Sequence, residues 1–114
     1  MKITAEELDH HAHICVEGSL TNENQREFED VVTRYIEEHR FVIVDFSKLV
    51  FITSSGLGLL LSSSASAKKK GKAVIIFGLS DDMTKLFKLT ELYYHLNVFE
   101  TLEDCLDFMK KSEN

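Results

Sequence analysis

Two short runs of apolar residues, each the length of one β-strand, constrain the fold of this chain more than any other feature. Residues 41–46 read FVIVDF and residues 73–78 read AVIIFG. Neither run alternates strictly between apolar and polar positions, which is typical of a strand that is covered on both faces. We therefore expect an α/β fold in which these two strands are central and buried.

Helical periodicity alternates with these runs. A helix is predicted from about Asn22 to His39, capped by Thr21 or Asn22, because its apolar residues recur at a spacing of i, i+3, i+4 and i+7. Further helices are expected from about residue 54 to a stop at Gly71, after Ser80, and after Thr101. The apolar or small stripes of the four helices comprise Phe28, Val31, Val32, Tyr35 and Ile36; Leu57, Leu60, Leu61, Ser64 and Ala65; Met83, Leu86 and Phe87; and Leu102, Cys105, Leu106 and Met109.

Three further segments have the pattern of short strands, namely residues 1–8, 12–18 and 97–99. The resulting order predicts a mixed sheet of four to five strands, antiparallel at its N-terminal edge and parallel afterwards, with about four helices covering at least one face. We interpret residues 47–52 as the lead from the strand at residues 41–46 into the next helix. Residues 1–114 are expected to form a single domain, since no linker or repeat interrupts them.

The charge of the chain bears on its partners. A net charge of −6 and a pI near 5.3 argue against direct binding of nucleic acid or of an anionic membrane, because both need a basic surface. The lysines around Gly71 are interpreted as cations at a helix C-terminus. No signal peptide or membrane span is recognisable, so a cytoplasmic protein is expected.

Cysteine and histidine are residue types that commonly bind metal ions. Cys15 and Cys105 lie far apart and are predicted to be free, buried or half-buried thiols. His11 and His13 fall on one face of a predicted strand next to His10, but no acidic or cysteine pattern completes a metal site. We therefore predict exposed strand histidines, no metal and no cofactor.

A segment rich in hydroxyls and glycines lies where the second helix begins. Thr53 and Ser54 are good N-cap residues, and a phosphate on Ser55 would lie near the positive end of the helix dipole. Gly56 and Gly58 each cost about 1 kcal/mol relative to alanine inside a helix, which packing or a closely approaching partner should explain. The residues alone leave two interpretations open, an ordinary helix cap or a site for a partner or a phosphoryl group.

An enzyme that uses one of these serines as a nucleophile is disfavoured. The motif GxSxG is absent from the sequence, no general base is identifiable, and no P-loop motif occurs. We therefore expect no catalytic residues.

The chain resembles the STAS domain, and more closely the single-domain anti-sigma factor antagonists. The resemblance covers nearly the whole chain, and its most specific part is the Ser-Ser-Gly-Leu-Gly core. It rests on GSLT at residues 18–21, VIVDF at residues 42–46, FITSSGLGLL at residues 51–60 and AVIIFG at residues 73–78.

This resemblance implies a non-enzymatic switch in a bacterial partner-switching pathway. Members of the family bind an anti-sigma factor that is also a serine kinase, which frees the sigma factor; phosphorylation breaks the complex and a serine phosphatase restores it. By position, Ser55 is the phosphoacceptor, with Ser54 and Thr53 as weaker candidates. The partner-binding residues implied are Asp45, Thr53, Ser54, Ser55, Gly56, Leu57 and Gly58.

Two features leave the implied role open. Thr53 stands where the family commonly has aspartate, so a negative charge beside the acceptor is missing, although a neutral hydroxyl can still cap the helix. Similar domains also serve as accessory subunits of transporters, as stressosome-like scaffolds, or as anion- and nucleotide-binding modules. The sequence does not define an oligomeric state.

Overall fold

Five strands form one mixed sheet in which the spatial order of the strands equals their order in the chain. The computed structural model describes residues 1–112, apart from the side chain of Leu92. The first two strands pair antiparallel and the remaining neighbours pair in parallel, as predicted. The elements are β1 (Lys2–Glu7), β2 (His11–Leu20), α1 (Gln25–Glu38), β3 (Phe41–Ile52), α2 (Ser54–Lys69), β4 (Ala73–Phe77), α3 (Asp81–Leu89), a 3₁₀ helix (Leu92–His95), β5 (Asn97–Phe99) and α4 (Leu102–Ser112).

Helices cover both faces of the sheet. On one face, α1, α2 and α3 contribute buried side chains such as Phe28, Leu60 and Phe87 to the larger core. On the other face, Cys105 and Met109 of α4 form a smaller apolar cluster with residues of β3 and β4. Residues 41–44 are buried because they lie between these two layers, which confirms their prediction as a central strand. None of the described helices has the length and apolar character needed to span a bilayer.

β3 extends further than the sequence predicted, since residues 47–52 continue the strand instead of leading into a turn. In this part of β3 the buried residues are Phe46, Leu49 and Ile52, so every third residue faces the core. The register with β2 shifts between Cys15 and Glu17 and again between Gly18 and Ser19, with the additional residue in β3 each time. Such bulges break the two-residue alternation by which a strand is recognised in sequence.

The first helix begins later than predicted, at Gln25, and neither Thr21 nor Asn22 is its N-cap. Asn24 occupies the N-cap position but makes no side-chain cap bond. Its side chain instead accepts from the backbone N–H of Thr21 at 2.8 Å and donates to the carbonyl of Ser19 at 2.9 Å. The competing turn that these bonds stabilise delays the start of the helix.

The other helices largely follow the predictions. α2 ends before Gly71, whose φ of +74° is the left-handed conformation typical of a helix stop. Within α2, Ala65 is exposed although it was predicted on the buried stripe, and Ala67 is buried instead. The predicted caps of α3 and α4 are confirmed, because Ser80 accepts from Met83 N–H and Thr101 accepts from Asp104 N–H, each at 3.1 Å. The 3₁₀ helix was not predicted.

The prediction of exposed histidines on β2 is wrong. His11 and His13 lie beside Phe41 and Ile43 of β3 in the sheet, and their rings are 4.8 Å apart. The Nε2 atoms of both histidines are buried, with no hydrogen-bond partner among the described residues. Burial lowers the pKa of both side chains, most directly because it disfavours the charged imidazolium. Both cysteines are free thiols, Cys15 half-buried and Cys105 buried, as predicted.

Candidate phosphorylation and partner-binding site

The start of α2 is held by Thr53. Its Oγ1 accepts a 3.1 Å hydrogen bond from the backbone N–H of Gly56, and its own N–H donates to the carbonyl of Leu20 at 3.0 Å. The extended backbone of Thr53, with φ −80° and ψ 163°, is that of an N-cap residue. The expectation that a neutral hydroxyl can cap this helix is confirmed.

Two side chains near the start of α1 contact the start of α2. Thr53 Oγ1 donates to Asn22 Oδ1 at 3.3 Å, and Ser55 Oγ donates to Gln25 Oε1 at 2.7 Å. Gln25 and Ser55 are the first residue of α1 and the second residue of α2, so the N-termini of two helices lie side by side. Sequence reasoning missed Asn22 and Gln25 because no local pattern links residues so distant in the chain.

The predicted site residues divide into an exposed group and a buried group. Ser54, Ser55 and Gly58 are exposed, whereas Gly56 and Leu57 are buried. A Cβ atom on Gly56 would lie 3.0 Å from Ile52 Cγ1 and 3.3 Å from the carbonyl oxygen of Leu20. Gly56 and Leu57 therefore shape the turn from within, and they do not offer the contact surface expected of them.

Gly58 differs from Gly56, since a Cβ atom built on it would meet nothing within 4 Å. The packing of this chain therefore does not require glycine at position 58. Its bare backbone instead leaves the helix surface near Ser55 open to another molecule. Packing therefore explains Gly56, whereas approach of another molecule at Gly58 stays a prediction.

Apolar side chains precede the turn. Val50 and Phe51, near the end of β3, are 75% and 50% exposed. Val50 is the additional residue at the second register shift, and the bulge turns both side chains away from the core. We call Val50, Phe51, Ser54, Ser55 and Gly58 the switch surface.

Asp45 does not belong to this surface, contrary to expectation. It lies within β3, not at a strand end, and seven residues before Ile52, which at about 3.3 Å per residue places it about 20 Å away along the strand. Its Oδ1 accepts a 2.8 Å hydrogen bond from Ser47 N–H. The same oxygen lies 3.0 Å from where a Cβ would be on Gly78, whose φ is +86°. Asp45 therefore stabilises the first bulge and its packing against the end of β4.

One cluster of possible metal ligands lies away from the β2 histidines considered above. Among residues 1–112, ligand atoms of Glu7, Glu38 and His39 lie within 4.8 Å of one another. His39 Nε2 is 3.0 Å from Glu7 Oε1, and this hydrogen bond is the main reason that the pKa of Glu7 is lowered. The contact joins the end of α1 to the end of β1, at the opposite end of β3 from the switch surface.

The five-stranded mixed sheet and its four helices agree with one family. A model of the STAS domain family matches residues 2–105. The chain belongs to the STAS domain family. This STAS domain is 25% identical to the anti-sigma-B factor antagonist of Listeria monocytogenes over 83 residues, which are 72% of the chain and 73% of that protein. Homology therefore relates the STAS domain described here to the anti-sigma factor antagonists.

Solved structures show the same fold. An anti-sigma factor antagonist from Mycobacterium paratuberculosis has a TM-score of 0.80 at 18% identity, over 96% of this STAS domain and 93% of that chain. The phosphorylated form of the Bacillus cell fate determinant SpoIIAA has a TM-score of 0.70 at 22% identity, over 95% and 99% of the two chains. At these identities the similarity concerns the fold alone.

Proposed function

We propose that this STAS domain is a cytoplasmic anti-sigma factor antagonist that binds an anti-sigma factor with serine kinase activity and is released when Ser55 is phosphorylated. The observation that carries the proposal is the exposed Ser55 hydroxyl on the first turn of α2, next to an exposed apolar pair at the end of β3. A serine phosphatase would restore the binding form. In this role the domain is a switch without catalytic residues of its own.

The hydroxyls of Thr53, Ser54 and Ser55 differ in their hydrogen bonds, and this difference favours one of them as the phosphoacceptor. Thr53 Oγ1 already caps α2 and bonds Asn22, so its modification would break the helix start. Ser54 and Ser55 are both exposed, and only the Ser55 hydroxyl is oriented by a side chain of the neighbouring helix. Together with the position of Ser55 in the family motif, this favours Ser55 over Ser54.

The surroundings of Ser55 can accept a phosphoryl group in the free domain. The first turn of α2 contains no acidic residue, and the start of α1, whose first turn carries one acidic residue, Glu27, lies close by. Two helix N-termini, each with about half a positive charge, would face the phosphate. Rotation of the Gln25 amide would present its NH₂ group to a phosphate oxygen, in place of the oxygen that accepts from the serine.

The same phosphate is unfavourable in a complex. An anti-sigma partner that packs an apolar surface on Val50 and Phe51 would bury a group carrying roughly −1.5 to −2 charges beside that contact. A loss of about 1.4 kcal/mol weakens binding tenfold, so a few kcal/mol separate the partners without refolding either one. Steric and electrostatic exclusion is the proposed basis of release.

The test is phosphorylation of the full chain by candidate anti-sigma kinases, followed by mass-spectrometric mapping of the modified residue. We expect modification at Ser55, loss of modification in Ser55→Ala, and retained modification in the matched control Ser54→Ala. Ser55→Asp should bind the same kinase at least tenfold more weakly than the unmodified wild type. Modification elsewhere with Ser55 untouched, or equal binding by Ser55→Asp, would refute the proposal and favour an accessory or scaffold role.

A further inference from the structure

A cavity of about 730 Å³ opens at the end of the sheet opposite the switch surface. Phe41, Ala73 and Asn97, the first residues of β3, β4 and β5, form its base. We call it the basal cavity. Its volume lies within the range of about 300–1,000 Å³ that is typical of small-molecule sites.

Apolar groups form much of the wall of the basal cavity. Leu61 and Ala65 of α2 line one side, and Phe108 of α4 lines the other. Phe41 at the base is 2% exposed, and Leu61 and Phe108 are half-buried. The cavity thus offers an alkyl chain apolar contacts from both helical layers, where burial of each CH₂ group contributes about 0.8 kcal/mol.

The charged residues around this cavity are all basic or histidine. Arg40, Lys68, Lys72 and His95 line it, and none of the described lining residues is acidic. The chain as a whole carries 19 acidic and 13 basic residues, so the sign of charge here is opposite to that of the molecule. A ligand that fits this distribution is an anion.

Two of these cations already have partners. Arg40 Nη2 donates to the carbonyl of Ser112 at 2.7 Å, and Lys72 Nζ donates to carbonyls of Ile36 and Glu37 at the end of α1. Within residues 1–112, the side chains of Lys68 and His95 make no hydrogen bond or ion pair. They are the groups available to a ligand.

The size of the local charge selects the kind of anion. Arg40, Lys68 and Lys72 each carry a full positive charge, whereas the C-termini of α1, α2 and α4 that approach the cavity each carry roughly half a negative charge. The remaining positive charge of roughly one and a half units suits a single carboxylate better than a group with several negative charges. It does not suit a polyphosphate, since none of the described lining residues belongs to a helix N-terminus or to a glycine-rich loop.

We propose that the basal cavity binds a fatty-acid-like monocarboxylate. Its carboxylate lies at Lys68 and His95, and its alkyl chain lies over Phe41, Leu61 and Phe108. This site is separate from the switch surface, because it lies at the opposite end of a molecule that is 34 Å long. An experiment can therefore refute the function proposed for Ser55 without refuting the ligand site, and the reverse also holds.

The probe is decanoate, titrated to 1 mM into the ¹⁵N-labelled full chain and followed by amide chemical shifts. We expect saturable shifts confined to amides around the cavity, such as those of Leu61, Lys68 and Asn97, with residues 53–58 unchanged. Decyltrimethylammonium, with the same chain and the opposite charge, should bind at least tenfold more weakly.

Matched variants test the charge and the space separately. Lys68→Glu should weaken decanoate binding at least tenfold, whereas Lys69→Glu, the same charge change on an exposed neighbour that does not line the cavity, should leave it within twofold. Ala65→Trp, at an exposed lining position, should block binding while leaving the far-UV circular dichroism unchanged. Absence of saturable shifts with wild type, equal binding of the cationic probe, or equal loss in both lysine variants would overturn the proposal.

Discussion

The Ser55 hydroxyl donates a 2.7 Å hydrogen bond to Gln25 Oε1, which joins the first turn of α2 to the first residue of α1. The proposed phosphoacceptor is thus oriented by a residue far from it in the chain. Gln25 can accept from a serine hydroxyl and can donate to a phosphate, so it is suited to both states of Ser55. A carboxylate at this position would suit only the first state.

Gln25→Glu should therefore leave the unmodified domain folded and able to bind its partner, but it should disfavour phosphoserine 55. At about 4 Å, one additional unit of like charge costs about 4 kcal/mol near a protein surface and less where solvent screens it. We expect phosphorylation of Gln25→Glu to lower the thermal unfolding midpoint by several degrees more than phosphorylation of wild type. Gln25→Ala is the control without charge, and equal midpoint changes in the two variants would contradict the electrostatic role.

The apolar part of the switch surface can be tested without disturbing the core. Val50→Asp and Phe51→Asp replace exposed side chains, so each should change the free energy of unfolding by less than about 1 kcal/mol while weakening binding of the anti-sigma partner at least tenfold. Leu89→Asp is a matched control, because Leu89 is 82% exposed and lies at the end of α3. If all three variants bind as wild type in calorimetry, the partner does not use this pair.

The two glycines of α2 should respond oppositely to alanine. Gly56→Ala places a methyl group against the Leu20 carbonyl, which cannot move freely because it accepts the Thr53 N–H bond, and should cost about 1–3 kcal/mol. Gly58→Ala meets no atom and should stabilise the helix by about 0.5–1 kcal/mol. Urea unfolding measures both changes, and the opposite order of stabilities would show that the turn relaxes around a methyl at Gly56.

His11 and His13 should make the fold sensitive to mild acid. Their pKa values lie below the ordinary 6.5, so the unfolded chain binds protons first and stability falls as the pH drops below 6.5. The loss approaches about 1.4 kcal/mol per pH unit for each proton bound, and attraction of Glu6 and Asp45 for a charged His13 partly offsets it.

The measurement is urea unfolding at pH 7.5 and 5.5. His11→Gln combined with His13→Gln should reduce the difference in unfolding free energy between the two pH values. His10→Gln, at an exposed position, should keep most of it, because His10 is the smallest of the causes that lower the pKa of His11. A double variant with the full wild-type difference would assign the acid sensitivity to carboxylates.

The central fold could be predicted because its signals are local. Residues 41–44 and 74–76 are apolar without interruption, and the caps Ser80 and Thr101 lie three residues before the N–H groups that they accept from. The parts that could not be predicted depend on distant contacts. The bulges of β3 remove its alternation, and the hydrogen bonds of Asn24 delay the start of α1. His11 and His13 lie beside Phe41 and Ile43 of β3, with their Nε2 atoms buried.

The candidate site also has a part that the local sequence predicts and a part that depends on distant contacts. The cap at Thr53 and the helix start at Ser54 follow from residue types in sequence. The partners Asn22 and Gln25, and the exposure of Val50 and Phe51, follow from the strand register that brings Leu20 opposite Ile52. This register pairs residues that are distant in the chain, so no short stretch of sequence predicts it. The geometry of the switch surface could therefore be seen only in the structure.

The register of β3 with β4 ends at Asp45, while its pairing with β2 continues to Ile52. The strand residues of the switch surface therefore lie on a two-stranded extension of β2 and β3, beyond the part of the sheet that β4 also joins. Exposed residues of this extension, such as Val50 and Phe51, can be substituted without altering the buried strands of the sheet. Under the proposed function, the residues that select the kinase can therefore change while the architecture of the sheet is retained.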